Sequence, residues 1–194
     1  MNKNQIYIFY LYIFFSFVFI FTTTEYLTLE EIIYTANQTD AISYIEIAKY
    51  SPKLPIENDI IQKHFAQRFL IPYIIGFTSK IFWLDIFLTY KIFNYIFIFT
   101  YLFLIIYISR ELKLNLTLSI FFFSILFLNP YIVRYHLFNP MQAHDMLFFC
   151  CVLIFSYTII KNKFSTNICT IILAIFLRQT SISMFFSSIF YFLL

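Results

Sequence analysis

Apolar residues in this chain fall in long unbroken runs, and polar residues mark the breaks between them. Ile6 to Phe21 is apolar apart from Ser16. Ile86 to Ser109, Leu114 to Leu128, Met146 to Ile160 and Ile168 to Leu194 follow, broken by Arg110-Glu-Leu-Lys113, a loop from Asn129 to Asp145, and Lys161-Asn-Lys163. About 20 apolar residues in a helix cross the ~30 Å hydrocarbon core of a bilayer. The pattern therefore predicts an all-α, polytopic helical membrane protein of about five to seven membrane helices in one membrane domain, 1–194. The helices are expected at 6–22, 86–109, 114–129, 146–160, 168–178 and 181–194. The last apolar run would be roughly 40 Å long as one helix, more than a bilayer needs. It reads better as a short span ending near Arg178, a turn at Arg178-Gln-Thr180, and a further helix. The chain stops inside that run, as a fragment would, or a protein lacking helices its relatives have.

Lys3 is the only charge before the first run, and Phe21-Thr-Thr-Thr-Glu25 offers no small-x-small cleavage site. Those are the marks of an uncleaved signal anchor with a cytoplasmic N-terminus. Residues 23–85 then form a predicted outer loop with helical parts, holding most of the acidic residues with Pro52 and Pro55. Its last part, Phe69 to Leu84, is apolar but interrupted by Pro72 and Lys80. If that part does not span, Lys3, Arg110, Lys113, Lys161 and Lys163 all lie inside, and the short outer loop 129–145 holds only Arg134. If it does span, the basic residues divide evenly between the two faces. The positive-inside rule selects the first topology, with 69–84 a juxtamembrane or re-entrant helix on the outer side.

Composition narrows the function classes. Hydrophobic residues make up 61% of the chain and charged residues 12%, with a net charge of +3, so no nucleic-acid surface is expected. A single glycine excludes Gly-rich phosphate loops. The 29 Phe and 16 Tyr, with abundant Ile, Asn and Lys, reflect AT-rich coding as much as chemistry, and that bias makes a bacterial inner membrane the expected compartment. The sequons Asn37-Gln-Thr39 and Asn115-Leu-Thr117 carry little weight in so Asn-rich a chain. Cys150, Cys151 and Cys169 lie in apolar runs and read as small buried hydrophobes. No metal-binding spacing such as C-x-x-C or H-E-x-x-H occurs.

Four places can carry chemistry. Asp40-Ala-Ile-Ser-Tyr44-Ile-Glu46-Ile-Ala48 has helical spacing, with Asp40, Tyr44 and Ala48 on one face. Either Thr39 or Asp40 is simply the N-cap of that helix, or Asp40 is a general base beside the membrane. His64 and Arg68, one turn apart, suit a phosphate or the polar face of an interfacial helix. His144-Asp145 opens an apolar run. The pair either favours the helix dipole or orients a diphosphate, a metal or a sugar. Arg178 is costly inside a span, about 2.5–3.5 kcal/mol on insertion scales, and is placed either as an interfacial anchor or to reach an anionic headgroup.

The Asp40-x-x-x-Tyr44-x-Glu46-Ile47-Ala48 segment resembles the Asp-Glu-x-x-Tyr-x-x-Ile-Ala motif of the GT-C membrane glycosyltransferases. That superfamily includes the protein O-mannosyltransferases and the lipid A aminoarabinose transferases. The order of elements is similar too: Pro72 in a juxtamembrane segment, Arg110 and Lys113 at a cytoplasmic turn, Asn129-Pro130 closing a helix, and Asp145 opening the next. Ala41 departs from the family, which has Glu after the aspartate. The resemblance implies transfer of a sugar from a polyprenyl-phosphate carrier to a lipid, protein or glycan acceptor on the non-cytoplasmic face. Asp40 would then be the catalytic base. Arg178, with Arg68 or His64, would bind the donor phosphate, and Asp145 with His144 would be the second-loop acid. No cofactor is firmly implied, though a divalent metal is compatible with the superfamily. The alternatives are a transporter or lipid-flipping subunit, with Arg178 and Asp145 along a path, and an inactive truncated paralogue.

Overall fold

The computed structural model describes residues 3–35, 38–53 and 68–193, without the side chains of 33, 35, 38–40, 179 and 193. Helix α1 (Lys3–Thr23) is followed by α2 (Leu29–Thr35) and α3 (Gln38–Tyr50), and then by α4 (Leu70–Phe82), α5 (Ile86–Glu111) and α6 (Leu116–Phe127). A π-helical turn at Pro130–Arg134 leads into the single turn α7 (Tyr135–Phe138), and a 3-10 turn at Pro140–Gln142 leads into α8 (Ala143–Ile160). Helices α9 (Phe164–Leu177) and α10 (Ile182–Leu193) end the chain, joined by a 3-10 turn at Gln179–Ser181. No strand occurs among the described residues.

Four stretches, Lys3–Thr23, Ile86–Glu111, Leu116–Phe138 and Pro140–Ile160, are long and apolar enough to cross a membrane, and α4, α9 and α10 are shorter apolar helices. The chain is an all-α, polytopic helical membrane protein. Helix α4, at 13 residues, is about 20 Å long and falls short of the hydrocarbon core. It packs against α3 and α5.

The breaks have local causes. Asp85 and Asn115 cap α5 and α6 by accepting from the backbone N–H of Leu88 and Leu118. Helices commonly end on a left-handed glycine, but here Trp83, Lys113 and Asn162 take that conformation, with φ of 55°, 52° and 53°. In each case the next residue's N–H reaches back to close the helix: Leu84 to Ser79 O at 3.0 Å, Leu114 to Ser109 O at 3.1 Å, and Lys163 to Thr158 O at 2.8 Å. The one glycine serves packing instead. Gly76 of α4 lies so close to Ala48 of α3 that an added Cβ would stand 1.9 Å from the Ala48 carbonyl oxygen.

Cross-helix contacts orient the bundle. Tyr12 meets Ser124 and Thr23 meets Arg134, so α1 and α6 run the same way. Cys150 meets the Phe97 carbonyl and Tyr157 meets Tyr107, so α5 and α8 run together in the other sense. Asn167 bonds Thr158, and Ser188 bonds Asn167, which sets α9 antiparallel to both α8 and α10. One end of the bundle therefore gathers Lys3, Arg110, Lys113, Lys161 and Lys163, and the other gathers α2, α3, the 129–145 segment and Arg178. Cys150 and Cys151 are buried, but Cys169 is exposed. The expectation that all three are buried fails there, because α9 packs through Asn167, Thr170, Ile171, Ala174 and Leu177, and position 169 faces away.

Candidate functional site at the loop end of the bundle

The site begins with α3. Hydrophobic residues on one face, Ala41, Tyr44, Ile47 and Ala48, are essentially fully buried, and Ala48 against Gly76 lets α3 lie tightly on α4. Tyr44 is thereby pressed into the bundle. Its hydroxyl is 3.1 Å from His144 Nε2, and the two rings are 4.5 Å apart. Its carbonyl accepts from the Tyr90 hydroxyl at 3.0 Å, which ties α3 to the first turns of α5. Arg68 Nη1 donates to the Tyr44 hydroxyl at 3.5 Å.

Helix α8 starts at Ala143, three residues earlier than the apolar run, so His144 and Asp145 lie inside its first turn, where a carboxylate is favoured by the helix dipole. Asp145 Oδ1 is 3.7 Å from His144 Nε2 and 3.5 Å from Arg178 Nε. Arg178 comes to it because α9 ends at Leu177 and residue 178 takes extended backbone, φ −155° and ψ 127°. Its guanidinium lies 5.7 Å over the Phe148 ring. About a third of the Arg178 side chain remains exposed, so the ion pair is only partly shielded from solvent.

A second layer of polar groups lies behind. Asn94 Nδ2 donates to the His136 carbonyl at 2.7 Å, and His136 Nδ1 donates to the Ile132 carbonyl at 2.5 Å within the π-helical turn. Such turns recur at functional sites. Arg68 Nε, Asn94 Oδ1, His136 Nε2, Asn139 Oδ1, His144 Nδ1 and Asp145 Oδ1 are buried yet take no hydrogen bond among the described residues. Buried polar atoms are satisfied in the great majority of cases. Six such atoms at one end of an apolar bundle present donors and acceptors suited to a polar molecule.

Of the residues singled out from sequence, Arg68, His144, Asp145 and Arg178 come together. The backbone of Asp40 lies in α3 one turn before Tyr44, while its side chain falls outside the described residues. His64 also lies outside them. Sequence reasoning missed Asn94, His136, Asn139 and the coupling role of Tyr44. An amide inside an apolar run was the available signal for Asn94. Among the described residues no group of three or more His, Cys, Asp and Glu is disposed to hold a metal, and the partner of Asp145 is a guanidinium. Comparison of the chain with protein-family models, with curated proteins and with solved structures gives no match in any of the three.

Proposed function

We propose that this chain is a GT-C-type membrane glycosyltransferase that moves a sugar from a polyprenyl-phosphate donor to an acceptor. Asp40 takes the proton from the acceptor hydroxyl as its oxygen bonds to the anomeric carbon. The bond from that carbon to the phosphate oxygen breaks, and the electron pair leaves with the polyprenyl phosphate. Attack opposite the leaving group inverts the anomeric centre. Arg178, with Arg68 and His64, balances the charge on the departing phosphate through charge-assisted hydrogen bonds. By the positive-inside rule, the end holding Lys3, Arg110, Lys113, Lys161 and Lys163 faces the cytoplasm of a bacterial inner membrane, and the reaction takes place on the other face.

What supports this reading is one observation: Arg68, His144, Asp145 and Arg178 meet at the end of the bundle where α3, the helix that carries Asp40, packs through Tyr44. The Asp145 carboxylate engages Arg178 through Nε, and the terminal guanidinium nitrogens make no hydrogen bond among the described residues. Those two nitrogens form a fork that matches a phosphate. A transport path would need charges spread through the depth of the bundle, whereas these gather at one end.

The test is transfer in proteoliposomes with a panel of labelled polyprenyl-phosphate hexoses and pentoses. Asp40→Asn is expected to lower transfer by at least about a hundredfold, the usual yield of a positioned base. Arg178→Gln is expected to cost roughly 10²–10³ in rate. Undiminished transfer by Asp40→Asn refutes the base, and no transfer by the unmodified chain from any donor refutes the reading as a whole.

A further inference from the structure

At the opposite, basic end a cavity of about 270 Å³ lies between α1 and the turn joining α5 to α6, with Ile6, Phe9, Tyr10, Arg110, Lys113 and Leu114 in its wall. The turn brings the two cations together. Lys113 takes the left-handed conformation, and its N–H returns to the Arg110 carbonyl at 3.0 Å. Neither side chain forms an ion pair among the described residues, whereas the adjacent Glu111 is engaged with Lys161 at 3.9 Å. The remaining wall is mostly apolar. One helical turn beyond Tyr10 on α1 stands Phe14, 60% exposed, and one turn beyond Leu114 stands Leu118, 51% exposed.

Two unpaired cations beside an apolar track call for an amphiphile with an anionic head. The cavity is slightly smaller than the ~300–1,000 Å³ typical of whole small-molecule sites, which fits a headgroup rather than an entire lipid. Basic pockets between membrane helices bind anionic headgroups for the same electrostatic reason. We infer that this cavity holds the phosphate headgroup of an anionic glycerophospholipid on Arg110 and Lys113, with its acyl chains along Tyr10, Phe14 and Leu118. The site shares no residue with the transfer reaction, so the two readings stand or fall separately.

The experiment uses the full chain in phosphatidylcholine nanodiscs containing phosphatidylglycerol, with retained lipid read by native mass spectrometry. The unmodified chain is expected to keep one phosphatidylglycerol in preference to phosphatidylcholine. At about fivefold for each basic side chain near an anionic headgroup, R110Q/K113Q should retain roughly thirtyfold less. K163Q, at the same end but outside the cavity, should retain as much as the unmodified chain. Ile6→Trp fills the cavity with both cations intact and should also abolish retention. If R110Q/K113Q fails to fold by circular dichroism, Ile6→Trp decides, together with a salt titration of the unmodified chain, in which retention should fall from about 0.05 to about 0.5 M. Equal retention by folded R110Q/K113Q, equal retention of phosphatidylcholine, retention by Ile6→Trp, insensitivity to salt, or displacement by millimolar inorganic phosphate each overturns the inference, the last by identifying a free-anion site.

Discussion

Gly76→Ala should uncouple α3, and Tyr44 with it, from the rest of the bundle. The added Cβ would stand 1.9 Å from the Ala48 carbonyl oxygen and 2.5 Å from its carbon, about 1.5 Å short of the 3.4 Å at which ordinary contact begins. Both obstructing atoms are backbone, so no rotamer change relieves the clash, and α3 must move away from α4. A radial gap of 0.5–1 Å already forfeits a quarter to a half of the dispersion energy between packed atoms, and Ile47, Ile71 and Ile75 at this contact are all essentially buried. Forced overpacking costs about 1–3 kcal/mol. With the lost contacts we expect about 3 kcal/mol, a factor of roughly 150 in the local equilibrium, taking 1.4 kcal/mol per tenfold. Tyr44 lies one turn before Ala48 on the same face, so the displacement carries its hydroxyl off His144, now 3.1 Å away. Hydrogen–deuterium exchange read by mass spectrometry should show faster exchange in 38–53 and 70–82, with 146–160 unchanged. Thr78→Ala, a neighbouring change that meets no such backbone, should do neither. Wild-type exchange and thermal stability in Gly76→Ala would refute the reasoning.

Other expected outcomes follow from single contacts. Tyr44→Phe removes the hydroxyl that joins His144 and Arg68, both already carrying unpartnered buried nitrogens, and should cost about 1–3 kcal/mol in detergent unfolding while lowering any transfer rate. Asn167→Leu breaks the bonds to Thr158 and Ser188 that tie α8, α9 and α10 together. Hydrogen bonds between membrane helices are worth about 0.6 kcal/mol each, so a loss near 1 kcal/mol is expected, and an unchanged melting temperature would contradict it. Glu31 accepts from the backbone N–H and the hydroxyl of Thr28, both at 2.8 Å, and those bonds hold its carboxyl below the usual carboxylate range. A lowered folded-state value means that the carboxylate's stabilisation of α2 is complete above the unfolded value and lost as pH falls through the folded one. Carbon chemical shifts of residues 29–35 should report loosening of α2 on acidification, and Glu31→Gln should abolish that acid dependence.

Much of this protein follows from its sequence alone. An uninterrupted apolar run longer than about 15 residues has few alternatives to a helix in a bilayer, because every backbone polar group must be satisfied within the segment. The breaks are equally local. Arg110 to Lys113, Lys161 to Lys163 and Arg178 to Thr180 are charged or polar interruptions, and the chain reverses at each. Other boundaries moved by a few residues: α8 begins before Met146 and α9 before Ile168, since a polar side chain does not stop a helix whose backbone bonds are satisfied. The inward face was not legible. The helices of the four long stretches, α1, α5, α6 and α8, are apolar on nearly every side, so hydrophobic periodicity points nowhere in them, and isolated polar residues such as Asn94, Ser109, Ser119 and Thr158 mark the side that turns inward.

The site depended on the tertiary structure for the same reason. Tyr44 and His144 are separated by 100 positions and Asn94 and His136 by 42, and no local pattern pairs them. The pairing results from helix directions and from the close approach that Gly76 permits at Ala48. Sequence could nominate Arg68, His144, Asp145 and Arg178 one at a time, because an ionisable group beside an apolar run is costly and needs a partner. Which partner each one takes is a property of packing. Asp145 meets Arg178 because α8 and α9 are antiparallel, so that α8 begins beside the point where α9 ends.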